Sequence, residues 1–187
     1  MADKKVIVDI PEPQVSKTLF TDTRISVLWL IVRIYVGWQW ALAGYEKIQN
    51  PAWVGEKAGV ALQGFLANSL TKAAGAHPDV QSWYAIFLKD FILPNSVFFS
   101  YVVSFGELLV GIALIIGVFT GIAAFFGAYM NVNYLLAGTV STNPILFLLE
   151  LLLILAWRIA GWWGLDRFAL PLLGTPWKPG KLFKHKR

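Results

Sequence analysis

Residues 25–45, 98–119, 121–140 and 145–163 form four apolar runs. Each is long enough to cross a bilayer as helix, which takes about 20 residues. Nothing else in the chain constrains the fold so tightly. In lipid every backbone N–H and C=O needs a partner within the protein, so such runs fold as helices. Composition agrees: hydrophobic residues make up 57% of the 187 and charged residues 14%, with a mean hydropathy of +0.59. A soluble domain carries about 25% charged residues, and one this small cannot bury so much apolar surface. The expected fold is an all-α membrane protein, a four-transmembrane-helix bundle.

What is absent narrows the chemistry. There is no cysteine, which excludes disulfides, thiolate metal sites and iron–sulfur clusters within the chain. The two histidines, His77 and His185, lie outside the apolar runs, so no haem is held between helical histidines, and no metal site is expected. The net charge of +5 is no nucleic-acid footprint, because six of the sixteen basic residues (Arg167, Lys178, Lys181, Lys184, Lys186 and Arg187) follow the last apolar run. A basic tail at 169–187 reads as a cytoplasmic end, and four spans return the N-terminus to the same side. Residues 1–24 then form a solvated cytoplasmic arm ending at a helix N-cap region, Thr21-Asp22-Thr23.

Residues 51–95 form an extracytoplasmic loop on this reading. Leu62, Phe65, Leu66 and Leu70 recur at helical spacing, and Val80, Trp83, Phe87 and Phe91 make a second stripe, with Asp79 as cap and Pro94 as stop. Two short amphipathic helices, lying on the membrane or capping the bundle, account for the pattern. His77, in the turn Gly75-Ala76-His77-Pro78, is read as a solvated loop residue.

Ionisable groups inside spans are costly and face the bundle interior or a water-filled path. Arg33 stands in the first run, Glu107 in the second, Glu150 and Arg158 in the fourth, and Asn131 and Asn133 in the third. Aligning the first two runs at their midpoints puts Arg33 and Glu107 within about 5 Å in height, at roughly 1.5 Å per residue. Arg33, Gly37, Trp40, Gly44 and Lys47 form one face of the first run, and Gly106, Val110, Ala113 and Gly117 a small-residue seam on the second. Glu150 shares a face with Trp157 and has no cation at its level, whereas Arg158 can snorkel to the interface. Two readings of the Arg33–Glu107 pair stand: a lock on helix register, or a site that binds or protonates something polar near the midplane. Of the nine tryptophans, Trp29, Trp53, Trp83, Trp162 and Trp163 fall near the expected interfaces, while Trp38, Trp40 and Trp157 lie deeper, where they can line a cavity for a flat ring.

The segments Arg33-Ile-Tyr-Val-Gly37 and Ala43-Gly44-Tyr45-Glu46-Lys47-Ile48 resemble the first span of the DoxX/DoxD family. So do Gly106-Glu107-Leu108-Leu109-Val110-Gly111, the exit Gly117-Val118-Phe119-Thr120-Gly121, and the ending Gly161-Trp162-Trp163-Gly164-Leu165-Asp166. The resemblance spans residues 25–168, and the long loop and the Gly-Leu-Asp ending are closer to the DoxD branch. It implies a four-helix bundle, multi-pass in a prokaryotic plasma membrane, and for DoxD a membrane subunit of thiosulfate:quinone oxidoreductase. With quinone as the implied cofactor, Arg33 holds a ring oxygen and Glu107 exchanges the coupled proton as the catalytic pair. Asn131, Asn133 and Glu150 hydrogen-bond the ring, and Trp40 and Trp157 enclose it. The chain has no redox group, so electrons then come from bound quinone, a partner subunit or the substrate directly, and a partner subunit or a homo-oligomer is expected. The alternative is a non-catalytic scaffold or small-solute transport subunit.

Overall fold

A computed structural model describes residues 11–174, so Lys4, Lys5 and the basic residues from Lys178 onward lie outside the described residues. Every regular element among the described residues is helical. In chain order these are α1 (Gln14–Thr21), α2 (Ser26–Gln49), α3 (Val60–Thr71), α4 (Ser82–Phe87), α5 (Ser96–Ile116), α6 (Thr120–Leu136), α7 (Asn143–Leu155), α8 (Trp157–Ala160) and α9 (Asp166–Leu173). Two continuous helical runs, Thr23–Gln49 and Ser82–Ile116, are long and apolar enough to cross a membrane. The fourth predicted run is divided: α7 ends at Leu155, and a turn at Ala156 leads into the single-turn α8.

The predicted inner face of α2 is the observed one. Arg33, Gly37, Trp40 and Gly44 are buried and Lys47 is half-buried. Trp38, read from the sequence as deep, is 60% exposed, because it follows Gly37 onto the opposite face. Trp29, read as an interfacial residue, is buried, with its Nε1–H donating to the Leu19 carbonyl at 2.8 Å and its ring stacked on Phe20. The N-terminal arm is thus partly folded: Leu19 and Phe20 of α1 supply apolar contacts that dock it on the core. Asp22 caps the 3-10 turn Thr23–Ile25 that leads into α2, its carboxylate accepting the Arg24 N–H at 2.9 Å, while α2 itself starts after Ile25 with no side-chain cap.

Glycines set how α2 meets α5. A Cβ at Gly44 would overlap the Leu108 backbone, and one at Gly111 would overlap Ala41. Gly106, from the expected seam, has only the Met130 sulfur within 4 Å of such a Cβ. Gly111, one residue off that seam, carries the contact.

Between α2 and α5 the chain forms a cap. Leu62 and Leu66 of α3 are buried with Val80, Tyr84, Leu88 and Ala137. The first predicted stripe is therefore the packed one. The second is turned: Trp83 is 61% and Phe91 53% exposed, and Tyr84 and Leu88, four residues apart, point inward instead. The reason is that α4 starts only at Ser82, capped by Gln81 without a side-chain bond, so Val80 packs from the preceding turn and Asp79 caps nothing. Nor does Pro94 stop the helix. A π turn at Leu88–Ile92 and a 3-10 turn at Leu93–Asn95 carry the chain into α5, since widened and tightened turns absorb the missing N–H. Polar ties hold the cap down: Ser100 Oγ donates to the Trp53 carbonyl at 2.6 Å, Gln63 Nε2 to Ser96 Oγ at 2.8 Å, and Lys72 Nζ to the Gly138 carbonyl at 2.7 Å.

The outward faces of the long helices are apolar, with Ile31 (α2), Leu109 (α5), Phe125 (α6) and Leu148 (α7) all exposed. Water would penalise such a surface, and lipid does not.

The packing makes a paired prediction. Gly44→Leu should drive apart α2 and α5 and lower stability by about 1–3 kcal/mol or more. Gly64→Ala, in an exposed helical position with nothing within 4 Å of the new Cβ, should gain about 0.5–1 kcal/mol. Thermal unfolding in detergent micelles reads both, and equal melting temperatures for the two variants would contradict the glycine register.

Candidate functional site

The α2–α5 register decides which buried charges meet. Midpoint alignment sets Leu108 opposite a residue near Tyr35. The glycine contacts set it opposite Gly44, a shift of about nine residues or about 13 Å. Arg33 therefore does not meet Glu107, and the expected pair is replaced by two separate polar clusters.

The first cluster is a clasp around Arg33. This side chain is 1% exposed, and its Nη1 donates to the Leu114 carbonyl at 2.8 Å and its Nη2 to the Trp163 carbonyl at 3.3 Å. The guanidinium lies against Gly117, where a Cβ would collide with it. Gly117 itself has φ of 69° and closes α5 in the left-handed conformation that favours glycine. Asp166 completes the clasp, its Oδ1 and Oδ2 accepting the Phe119 and Thr120 N–H groups at 2.6 and 2.9 Å. A carboxylate there satisfies the first free amides of α6 and complements the positive end of its dipole. The Gly-Leu-Asp ending is thus a helix cap, and Gly161 and Gly164 leave room for it: a Cβ at the first would strike Asp166, and one at the second would strike Gly117. Trp157 belongs to this end, where it lines a cavity with Thr120 and Asp166 rather than joining Glu150.

The second cluster lies at the other end of α2. Lys47 Nζ stands 2.6 Å from Glu107 Oε2, and Tyr134 O–H donates to Glu107 Oε1 at 2.5 Å. Glu107 is 1% exposed, so its charge depends on these two partners. Lys47 Nζ also lies 5.3 Å from the centre of the Trp53 ring, a cation–π distance. The Tyr134 ring stacks on Trp40 with centroids 6.4 Å apart. On the far side of Trp40, its Nε1–H donates to Glu150 Oε1, and Asn131 Nδ2 donates to Glu150 Oε2 at 2.7 Å. Glu150 is fully buried and has no cation within ion-pair distance among the described residues. Gly127 makes room for its carboxylate, since a Cβ there would lie 2.5 Å from Oε1.

Lys47, Glu107, Tyr134, Trp40 and Trp53 line one cavity of about 280 Å³, with Phe65 on its wall and Ser141 and Thr142 at its exposed edge. Its polar wall offers two donors, an ammonium and a phenol, on either side of one carboxylate. The remaining wall offers aromatic faces. Such a cavity suits a flat ring bearing oxygen, with a proton acceptor at hand.

Of the residues the sequence singles out, the structure brings Trp40, Glu107, Asn131 and Glu150 into one connected cluster. Arg33 and Trp157 go to the clasp. Asn133 faces the cap, its Oδ1 accepting Tyr84 O–H at 3.0 Å. The sequence reading missed Lys47, Tyr134 and Trp53 as site residues. Lys47 was visible as the last residue of the inner face of α2, and Tyr134 as the residue one turn beyond Asn131. Trp53 carried no signal, because only the cap's fold turns it over Lys47.

Removing one partner of a buried pair should hurt more than removing both. Lys47→Met should lower stability on the order of 3–5 kcal/mol, less if Glu107 takes up a proton. Lys47→Met with Glu107→Leu should recover most of that loss. Arg33→Lys keeps the charge but not the fork that reaches two carbonyls, and should cost about 1–3 kcal/mol. Melting in micelles measures all three, and a double variant no better than Lys47→Met alone would sink the pairing.

A protein-family model described as DoxX matches residues 28–139, more than half of the chain. That stretch holds Arg33, Lys47, Glu107 and Tyr134 but stops before Glu150 and Asp166. No curated protein and no solved structure matches the chain.

Proposed function

Because the chain belongs to the DoxX family of membrane proteins, we propose that it is the membrane subunit of a quinone-linked oxidoreductase and binds a quinone ring in the cavity beside Lys47. One observation carries this reading: a buried carboxylate, an ammonium and a phenol share a cavity walled by Trp40, Trp53 and Phe65. Lys47 donates toward a ring oxygen, and Glu107, held by the Tyr134 O–H, takes up a proton and gives it to a ring oxygen on reduction. Trp40 and Trp53 enclose the ring faces. A bound quinone supplies the electron-accepting chemistry, for which the chain has no redox group of its own. The donor is thiosulfate or another sulfur compound, as for the DoxD branch, reached through a partner subunit or a second copy of the chain.

The setting belongs to the same proposal. The chain is a multi-pass protein of a prokaryotic plasma membrane with four spans and both termini cytoplasmic, α7 and α8 together making the fourth crossing. On that topology the cavity's exposed edge faces outward, and Arg33 and Asp166 lie toward the cytoplasm. Reporter fusions after Arg187 and within residues 73–78 should report opposite sides of the membrane. Same-side reporters would remove this topology.

A second reading draws on one observation. Lys47 and Glu107 already satisfy each other at 2.6 Å, as a lock in a scaffold or solute-transport subunit would. Organic extraction of the purified chain separates the two. The quinone reading expects about one quinone per chain, lost in the folded Lys47→Met, Glu107→Leu variant, whereas a lock expects no dependence on the pair.

A further inference from the structure

The cavity beside Lys47 has a neighbour. A second cavity, of about 170 Å³, lies between α3, α4, α5 and α6. Its walls are mainly apolar, with Leu66, Phe99, Val103 and Met130 among them. Two of its polar side chains are bonded to each other, since Tyr84 O–H donates to Asn133 Oδ1 at 3.0 Å. Phe65 and Tyr134 line both cavities and meet edge to face with centroids 6.0 Å apart. Among the lining residues of the second cavity, Val102 is 47% and Tyr129 59% exposed. Val102 falls on the outward face of α5 with Phe98, Phe105 and Leu109, and Tyr129 on that of α6 with Ile122, Phe125 and Phe126, all of them exposed. The mouth therefore opens on the surface suited to lipid.

We propose that the second cavity takes the apolar tail of the amphiphile whose ring occupies the first, so that the site selects lipid-tailed rings. This rests on the ring reading above. A bilayer-borne ligand that presents its ring to Lys47 has two places for its tail. One is the open edge at Ser141 and Thr142, where water opposes apolar surface in proportion to its area. The other lies beyond Phe65 and Tyr134, the side chains common to both cavities, toward Val102, along walls that are mainly apolar and end at the lipid-suited surface. Tyr134 is anchored by its bond to Glu107, whereas Phe65 has no polar anchor and is the ring that yields. The same two side chains thus separate a polar chamber from an apolar one and decide what passes between them.

The chain has no cysteine, so one introduced thiol reports one place. Ala43→Cys marks the first cavity and Val102→Cys the mouth of the second, with Tyr129→Cys repeating the latter. Each full-length variant in micelles is labelled with N-ethylmaleimide. The added ligand is duroquinone (a fully methylated ring without a tail) or decylubiquinone (a fully substituted ring with a ten-carbon tail). At ligand about ten times its Kd, labelling of an occluded thiol falls roughly tenfold. Duroquinone should slow labelling at Ala43→Cys alone, and decylubiquinone at both positions. Protection by decylubiquinone at Ala43→Cys only would overturn the tail assignment and leave the ring reading standing. Protection of Val102→Cys by duroquinone would also overturn it, by putting the ring itself in the second cavity. If neither compound protects Ala43→Cys, the ring reading fails and the tail assignment goes with it.

Discussion

The close approach of α2 and α5 is the constraint on which the rest of the structure depends. Gly44 against Leu108 and Gly111 against Ala41 leave no room for side chains, and small residues at such contacts are how membrane helices gain dispersion contact without a hydrophobic drive. Once those contacts are made, the axial position of every other residue on the two helices follows. Lys47 arrives beside Glu107, and Arg33 arrives at the C-terminal end of α5, where carbonyl oxygens collect. A cation at that end is favourable twice, through hydrogen bonds to free carbonyls and through the helix dipole. Arg33 thus needs no carboxylate in direct contact. Glu107, inside the bundle, does need a cation, and the same register supplies one.

The two ends of the bundle are built for different work. At the Arg33 end the charged groups bond to backbone: Arg33 Nη1 and Nη2 to carbonyls and Asp166 to amides, with the glycines leaving the space those side chains require, while Arg33 Nε and Thr120 Oγ1 have no protein partner. Such a clasp fixes helix ends, and the cavity beside it is walled mainly by apolar side chains. At the Lys47 end the polar groups are bonded to one another as side chains and line open space. Side-chain pairs can exchange partners with a ligand, whereas backbone caps cannot do so without unwinding a helix. Glu150 adds a second buried carboxyl behind Trp40, held by neutral donors alone. The stacked Trp40 and Tyr134 rings join the two carboxyl sites into one structural unit.

Much of the helical framework is legible in the sequence, because apolar run length and helical spacing are local properties. The starts of α2 and α5, the inner face Arg33–Gly37–Trp40–Gly44–Lys47 and the packed stripe of α3 all follow from them. Local rules fail where a turn changes phase. The second loop stripe is rotated because α4 begins after Val80, and Pro94 passes through a π and a 3-10 turn that no period of 3.6 anticipates. The fourth run is one apolar stretch in sequence and a helix broken at Ala156 in space.

The candidate site divides along the same line. The sequence by itself determined that this chain is helical and lipid-compatible and that Glu107, Glu150, Asn131 and Arg33 would lie inside it, since burying charge in an apolar run leaves no other economical place for it. Family membership, too, is written in the order of its motifs. Which of those groups would touch was decided only by tertiary structure. Axial register between helices is set by where two backbones can approach most closely, and a shift of about 13 Å exchanges Arg33 for Lys47 as the partner of Glu107 while leaving every local pattern unchanged.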